Sequence, residues 1–106
     1  MTKIVCLCGS VRFKEDFDKA NWAFTFSGDI VVQPGCWEHA EFHEDNYYSQ
    51  QMKERLDKLH KAKIDLADMV YIINKDGYIG PSTRSEIEYA ESKGKDIRYM
   101  EEQKEK

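Results

Sequence analysis

Glu86 is the residue in this chain best placed to do covalent chemistry. It follows the loop Gly77-Tyr-Ile-Gly-Pro-Ser82, which itself follows the β-branched, apolar run Met69-Val-Tyr-Ile-Ile-Asn74. The run reads as a buried strand, the Gly/Pro/Ser cluster as a sharp loop, and the residues from about Thr83 as the start of a helix. In an open parallel sheet, ligands bind beyond the carboxyl ends of the strands, which puts Gly80, Ser82, Thr83 and Glu86 at a crevice. A carboxylate there is suited to attack a sugar anomeric carbon, and the helix N-terminus helps to keep it ionised by roughly 0.3–1 kcal/mol. Thr83-Arg-Ser-Glu86 also has the spacing of a capping box, in which the glutamate folds back onto the N-cap N–H. One rotamer cannot serve both roles, and the pattern leaves both open.

Three other groups of residues bear on the same site. Cys8-Gly-Ser-Val-Arg12 ends the first strand pattern, and its glycine and following helix start suit a phosphate or a sugar hydroxyl. An ordinary turn with Ser10 as N-cap accounts for it equally. His60 lies one helical turn from Leu56 and from Ile64, at the edge of an apolar stripe, where it is either a hydrogen-bonded structural histidine or an acid/base group. Cys36, His39 and His43 offer three zinc-type donors, but no fourth is convincingly spaced, so no metal is expected. Trp22, Trp37, Tyr47 and Tyr48 read as core or subunit-contact residues.

Composition narrows the partners. Sixteen Lys plus Arg against twenty Asp plus Glu give a net charge of −4 over 106 residues, with no basic block before the mixed tail Glu101 to Lys106. Phosphate backbones need clustered cations, so a nucleic-acid polymer is not expected, whereas a single small anion is compatible. Three cysteines, an odd number, fit reduced thiols, and no apolar run reaches a membrane-spanning length. The expectation is a soluble cytoplasmic protein with no membrane partner.

The elements that must position these residues alternate. Lys3 to Cys8 reads as a strand. Phe13, Phe17, Ala20 and Phe24 then recur at helical spacing until Gly28. Asp29 to Gln33 is a second strand, stopped by Pro34-Gly35, and Cys36 to Asn46 is irregular. Met52, Leu56 and Leu59 mark the inward stripe of a second helix, which leads into the strand Met69–Asn74. A third helix from about Thr83 to Lys93 turns Ile87 and Ala90 inward, and Asp96 to Met100 is a final strand. This order predicts one α/β domain over residues 1–106, a flavodoxin-like or Rossmann-like three-layer sandwich with a four- to five-stranded parallel sheet.

Together, Lys3-Ile-Val-Cys-Leu-Cys-Gly-Ser-Val-Arg12, Leu59-His-Lys-Ala-Lys-Ile-Asp-Leu-Ala-Asp68, Gly77 to Ala90 and Gly94-Lys-Asp-Ile resemble the nucleoside 2-deoxyribosyltransferase family and its relatives that hydrolyse deoxynucleoside 5′-monophosphates. The resemblance is clear in residues 3–12 and 59–97 and poor in 35–55. It implies a flavodoxin-like homo-oligomer, a dimer or larger, that needs no cofactor and acts on a nucleoside or nucleotide. Glu86 matches the glutamate that attacks C1′. Gly9, Ser10 and Arg12, with Cys8 before them, match the first loop, and Ser82 matches the opposite wall of the phosphate pocket. Family members carry acids where this chain has His60 and, in the transferases, near Gly80. Two other functions stay open: a nucleotide-binding module without chemistry, and an NAD or sugar-nucleotide glycosidase on the same architecture.

Overall fold

The computed structural model describes residues 2–35 and 47–102, the side chains of 47–49 excepted. Cys36, Trp37, His39 and His43, the rest of the segment 36–46 and the tail 103–106 lie outside the described residues, as do the side chains of Tyr47 and Tyr48.

The elements alternate as their patterns require: β1 (Ile4–Gly9), α1 (Lys14–Phe26), β2 (Ile30–Val32), α2 (Tyr47–Leu66), β3 (Met69–Ile73), α3 (Pro81–Ser92) and β4 (Asp96–Tyr99). The strands form one sheet in the order β2-β1-β3-β4, and every pairing is parallel. This is the flavodoxin-like order with four strands, and its switch point falls between β1 and β3. Side chains of a strand alternate between faces. Val5 and Leu7 of β1 therefore pack with Phe17 of α1, Met69 and Ile73. Cys6 and Cys8 face the other way, toward Ile64 of α2 and Ile87 and Ala90 of α3. The sheet is thus covered by α1 on one face and by α2 and α3 on the other.

Several expectations need correcting. Helix α3 begins at Pro81, two residues before Thr83, because Gly80 is the N-cap and proline is tolerated in the first turn. Helix α2 extends upstream of Met52 to Tyr47. Of the expected stripe, Met52 and Leu56 are half-buried but Leu59 is exposed; the inward face continues instead through buried His60 and Ile64, and Ala67 beyond the helix end is buried as well. Trp22 is no core residue either. It is 67% exposed and stands edge-on to Phe26, with ring centroids 4.1 Å apart.

Two contacts fix the ends of β1 and β3, where the site must form. The amide of buried Asn74, just past β3, clamps the chain after β4: its Nδ2 donates to the Glu101 carbonyl at 3.0 Å, and its Oδ1 accepts from the Glu101 N–H at 2.8 Å. Gly9, the last residue of β1, lies against Ile73. A Cβ at position 9 would come within 2.8 Å of the Ile73 carbonyl oxygen and 2.9 Å of its Cβ. Gly9→Ala is accordingly expected to push the two central strands apart and to lower stability by about 1–3 kcal/mol, the usual cost of overpacking. Urea denaturation measures this, and an unchanged midpoint would contradict the account.

Candidate active site

Loops from the carboxyl ends of β1 and β3 enclose a cleft of about 230 Å³ at the switch point. Gly9, Ser10 and Val11 supply one wall, the Gly80 to Thr83 turn and Glu86 another, and Lys53, Leu56, Asp57, His60 and Lys63 of α2 a third. Pro34 and Gly35 after β2 and Tyr78 from the β3 loop also line it. The earlier start of α3 decides the role of Glu86. With Gly80 as N-cap, the residue three places into the helix is Thr83, and Glu86 falls on the next turn, out of reach of a capping box. Its side chain lines the cleft and is 13% exposed.

Beneath the cleft, Glu86 belongs to a polar cluster set into the apolar core. His60 Nε2 lies 3.9 Å from Glu86 Oε1, 3.2 Å from Cys8 Sγ and 3.8 Å from Cys6 Sγ. The ionisation of the four groups is linked. Burial pushes the Glu86 carboxyl up to about 7 against the pull of the nearby imidazole, and the charges of Cys6 and Asp57 push it further. Burial alone would lower His60, but its bond to Cys6 and the negative charges of Glu86 and Cys6 outweigh that effect and raise it. A hydrogen bond from Cys8 draws the Cys6 thiol down to about 6 despite burial, with His60 adding to the pull. The same bond, with burial and the charges of Cys6 and Glu86, pushes Cys8 up.

The residues singled out in the sequence divide into three groups. Gly9, Ser10, His60, Gly80, Ser82, Thr83 and Glu86 converge on the cleft. Cys8 does not reach it: its side chain is wholly enclosed below the floor and supports His60. Arg12 is held outside the lining, its guanidinium 4.4 Å over the ring of Tyr78 and 3.4 Å from the Tyr78 hydroxyl. Ser10 caps the short turn after β1, its hydroxyl accepting from the Arg12 N–H at 3.3 Å. That is the local role the turn pattern allowed.

Four contributors were not singled out. Asp57 and Lys53 lie on the His60 face of α2, three and seven residues earlier, and helical spacing from His60 would have found them. Lys53 Nζ meets Asp57 at 3.5 Å and donates to Ser82 Oγ at 3.2 Å, tying α2 to α3 across the mouth of the cleft. Tyr78 lines the cleft from the β3 loop. Cys6 joins through strand alternation from Cys8, a signal present in Cys6-Leu-Cys8.

No protein-family model matches the chain, and no curated protein matches it. What fold and cleft define by themselves is a flavodoxin-like α/β domain with a cleft at its switch point. Among the described residues, no helix is long and apolar enough to cross a membrane.

The raised carboxyl has a consequence for stability. Folded protein retains the Glu86 proton that the unfolded chain gives up above pH 4.5, so this group's contribution is full below pH 4.5 and is lost as pH climbs through about 7. Glu86→Gln removes that loss. The variant should exceed the parent in folding free energy by on the order of 2–3 kcal/mol at pH 8, with the gap closing toward pH 4.5. Urea midpoints across this range report it, and parallel curves for the two proteins would refute the buried, proton-holding carboxyl.

Proposed function

We propose that the protein cleaves or transfers the N-glycosidic bond of 2′-deoxynucleosides or their 5′-monophosphates, with Glu86 as nucleophile. The observation that carries this reading is a carboxylate freed from capping and facing a small-molecule cleft at the switch point. Its motifs are those that resemble the nucleoside 2-deoxyribosyltransferases. A carboxylate oxygen of Glu86 attacks C1′ through an oxocarbenium-like transition state; the C1′–N bond breaks, and its electron pair leaves with the base. Water then takes the sugar in hydrolysis, or a second base takes it in transfer, with retention at C1′.

The geometry favours a different role for His60 from that of an acid toward the base. An in-line displacement expels the base on the face of the sugar opposite Glu86, whereas His60 Nε2 lies beside and below that carboxylate, 3.9 Å from it. His60 acts as a positioning residue, holding the carboxylate by charge and orientation. Asp57 is the second carboxyl group lining the cleft, and it is the side chain left to meet the leaving base or a sugar hydroxyl. Ser82 and Lys53, which already share a hydrogen bond at the mouth, and Ser10 on the facing wall suit a 5′-phosphate.

The competing reading, a nucleotide-binding module without turnover, draws on the same raised carboxyl, since a nucleophile must be ionised. The two part on pH and on one variant. For the enzyme, turnover rises as pH passes through about 7, where Glu86 loses its proton, and Glu86→Gln lowers it on the order of 10³-fold or more while substrate still binds. The measurement is release of free base from each deoxynucleoside and 5′-monophosphate, with and without an added acceptor base. Bound but uncleaved nucleotide at high protein concentration would favour the module.

A further inference from the structure

The cluster under the cleft is arranged around a point and not as hydrogen-bonded pairs. An imidazole Nε2 has one hydrogen or one lone pair, so it satisfies a single partner well. Here three groups surround it within 4 Å: Cys8 Sγ at 3.2 Å, Cys6 Sγ at 3.8 Å and Glu86 Oε1 at 3.9 Å. The two sulfurs and the nitrogen lie within 4.8 Å of one another, and all three residues are buried. Bonds of about 2.3 Å to sulfur and about 2.0 Å to nitrogen at tetrahedral angles would set such atoms roughly 3.5–3.8 Å apart. The two nitrogen–sulfur separations, 3.2 and 3.8 Å, fall on either side of the nitrogen–sulfur value.

We propose that Cys6 Sγ, Cys8 Sγ and His60 Nε2 form a binding site for one thiophilic metal ion of the Zn2+ type, with Glu86 available from the cleft side as a further ligand. Two thiolates and an imidazole select zinc-like ions over magnesium or calcium, which prefer oxygen. The donors are rigidly held: the cysteines are consecutive same-face residues of the central strand β1, and His60 is on the inward face of α2. Entry is from the cleft, which His60 and Glu86 both line. Binding expels to solvent whatever protons the two thiols still carry. None of these donors belongs to the Cys36-His39-His43 motif, and the proposal does not rest on the glycosidase reading. The metal's binding is measured whether or not any nucleoside is cleaved.

The chain has three cysteines, so Cys36→Ser leaves thiols only at positions 6 and 8. Reduced Cys36→Ser protein is titrated with Co2+ while circular dichroism monitors the fold. The expected result is one ion per chain, a sulfur-to-cobalt charge-transfer band in the near ultraviolet, the visible bands of four-coordinate cobalt, and displacement by Zn2+. In that background, Cys8→Ser should erase the two-thiolate spectrum and weaken Zn2+ binding by about 100-fold, at least the loss seen when even supporting residues are changed. Folded Cys36→Ser protein that shows no thiolate band at saturating Co2+ overturns the site, and that result does not require the Cys8 variant to fold. A thiolate spectrum that Cys8→Ser leaves unaltered overturns it as well.

Discussion

A titratable ring buried against the middle of a parallel sheet must have its nitrogen met, and that requirement organises the cleft end of this molecule. His60 is 6% exposed and projects from α2 toward β1. Were it an aliphatic residue, the face formed by Ile64, Val70, Ile72, Ile87 and Ala90 would be an unbroken apolar layer. Instead, the sheet supplies two thiols at alternate positions of β1, and α3 supplies Glu86. Three elements from separate parts of the chain are thereby linked under one cleft, and none of the four groups ionises independently of the rest. The glycine at the end of β1 acts in concert with this cluster. Its contact with Ile73 keeps β1 and β3 paired to their last residues, so both loops open at the same level above the polar floor.

Much of the frame was legible from local pattern. Period-2 and period-3.6 runs locate four strands and three helices, and alternation of strand and helix implies the parallel sheet that is observed. Glycines 28 and 94 end α1 and α3 with positive φ, as their positions predict. Helix starts were less legible. Thr83 looked like an N-cap because its side chain and Glu86 fit the capping-box template, but Pro81 prefers the first turn, and Gly80 takes the extended cap conformation. This shift of the N-cap by three residues changes Glu86 from a capping group to a cleft group. On α2, counting only apolar residues selected Leu59 for the interior, whereas the buried face is continued by a histidine. Hydrophobic periodicity is blind to a polar residue whose partners lie on other elements.

The site shows the same division. Residues on the two crevice loops were found because topology alone places them, whereas Cys6, Asp57 and Lys53 were missed because their membership depends on packing between elements. Arg12 illustrates the opposite error. Its position after β1 suits an anion, but the aromatic face of Tyr78 lies closer and holds the guanidinium by cation–π attraction, worth about 0.5–1 kcal/mol at an exposed site. Lys53, which reaches Ser82, and Lys63 are the cations that line the cleft instead.

The polar floor also constrains what the cleft can do. A nucleophilic carboxylate profits from a nearby imidazolium, whose charge favours the ionised form, but the two thiols compete for the same imidazole nitrogen. If Cys6 is a thiolate, it binds the imidazolium and its own negative charge opposes ionisation of Glu86. Negative charge in the cluster is therefore shared between sulfur and carboxylate, and a cation placed at the nitrogen–sulfur centre would shift it. A metal ion would neutralise the thiolates and remove their repulsion from Glu86 while occupying Nε2, so the carboxylate would ionise more readily yet lose its imidazole neighbour. The two proposals therefore describe alternative states of one cluster: in the metal-free state His60 orients Glu86, and in the metal-bound state it is a ligand and the carboxylate turns either to the ion or to the cleft.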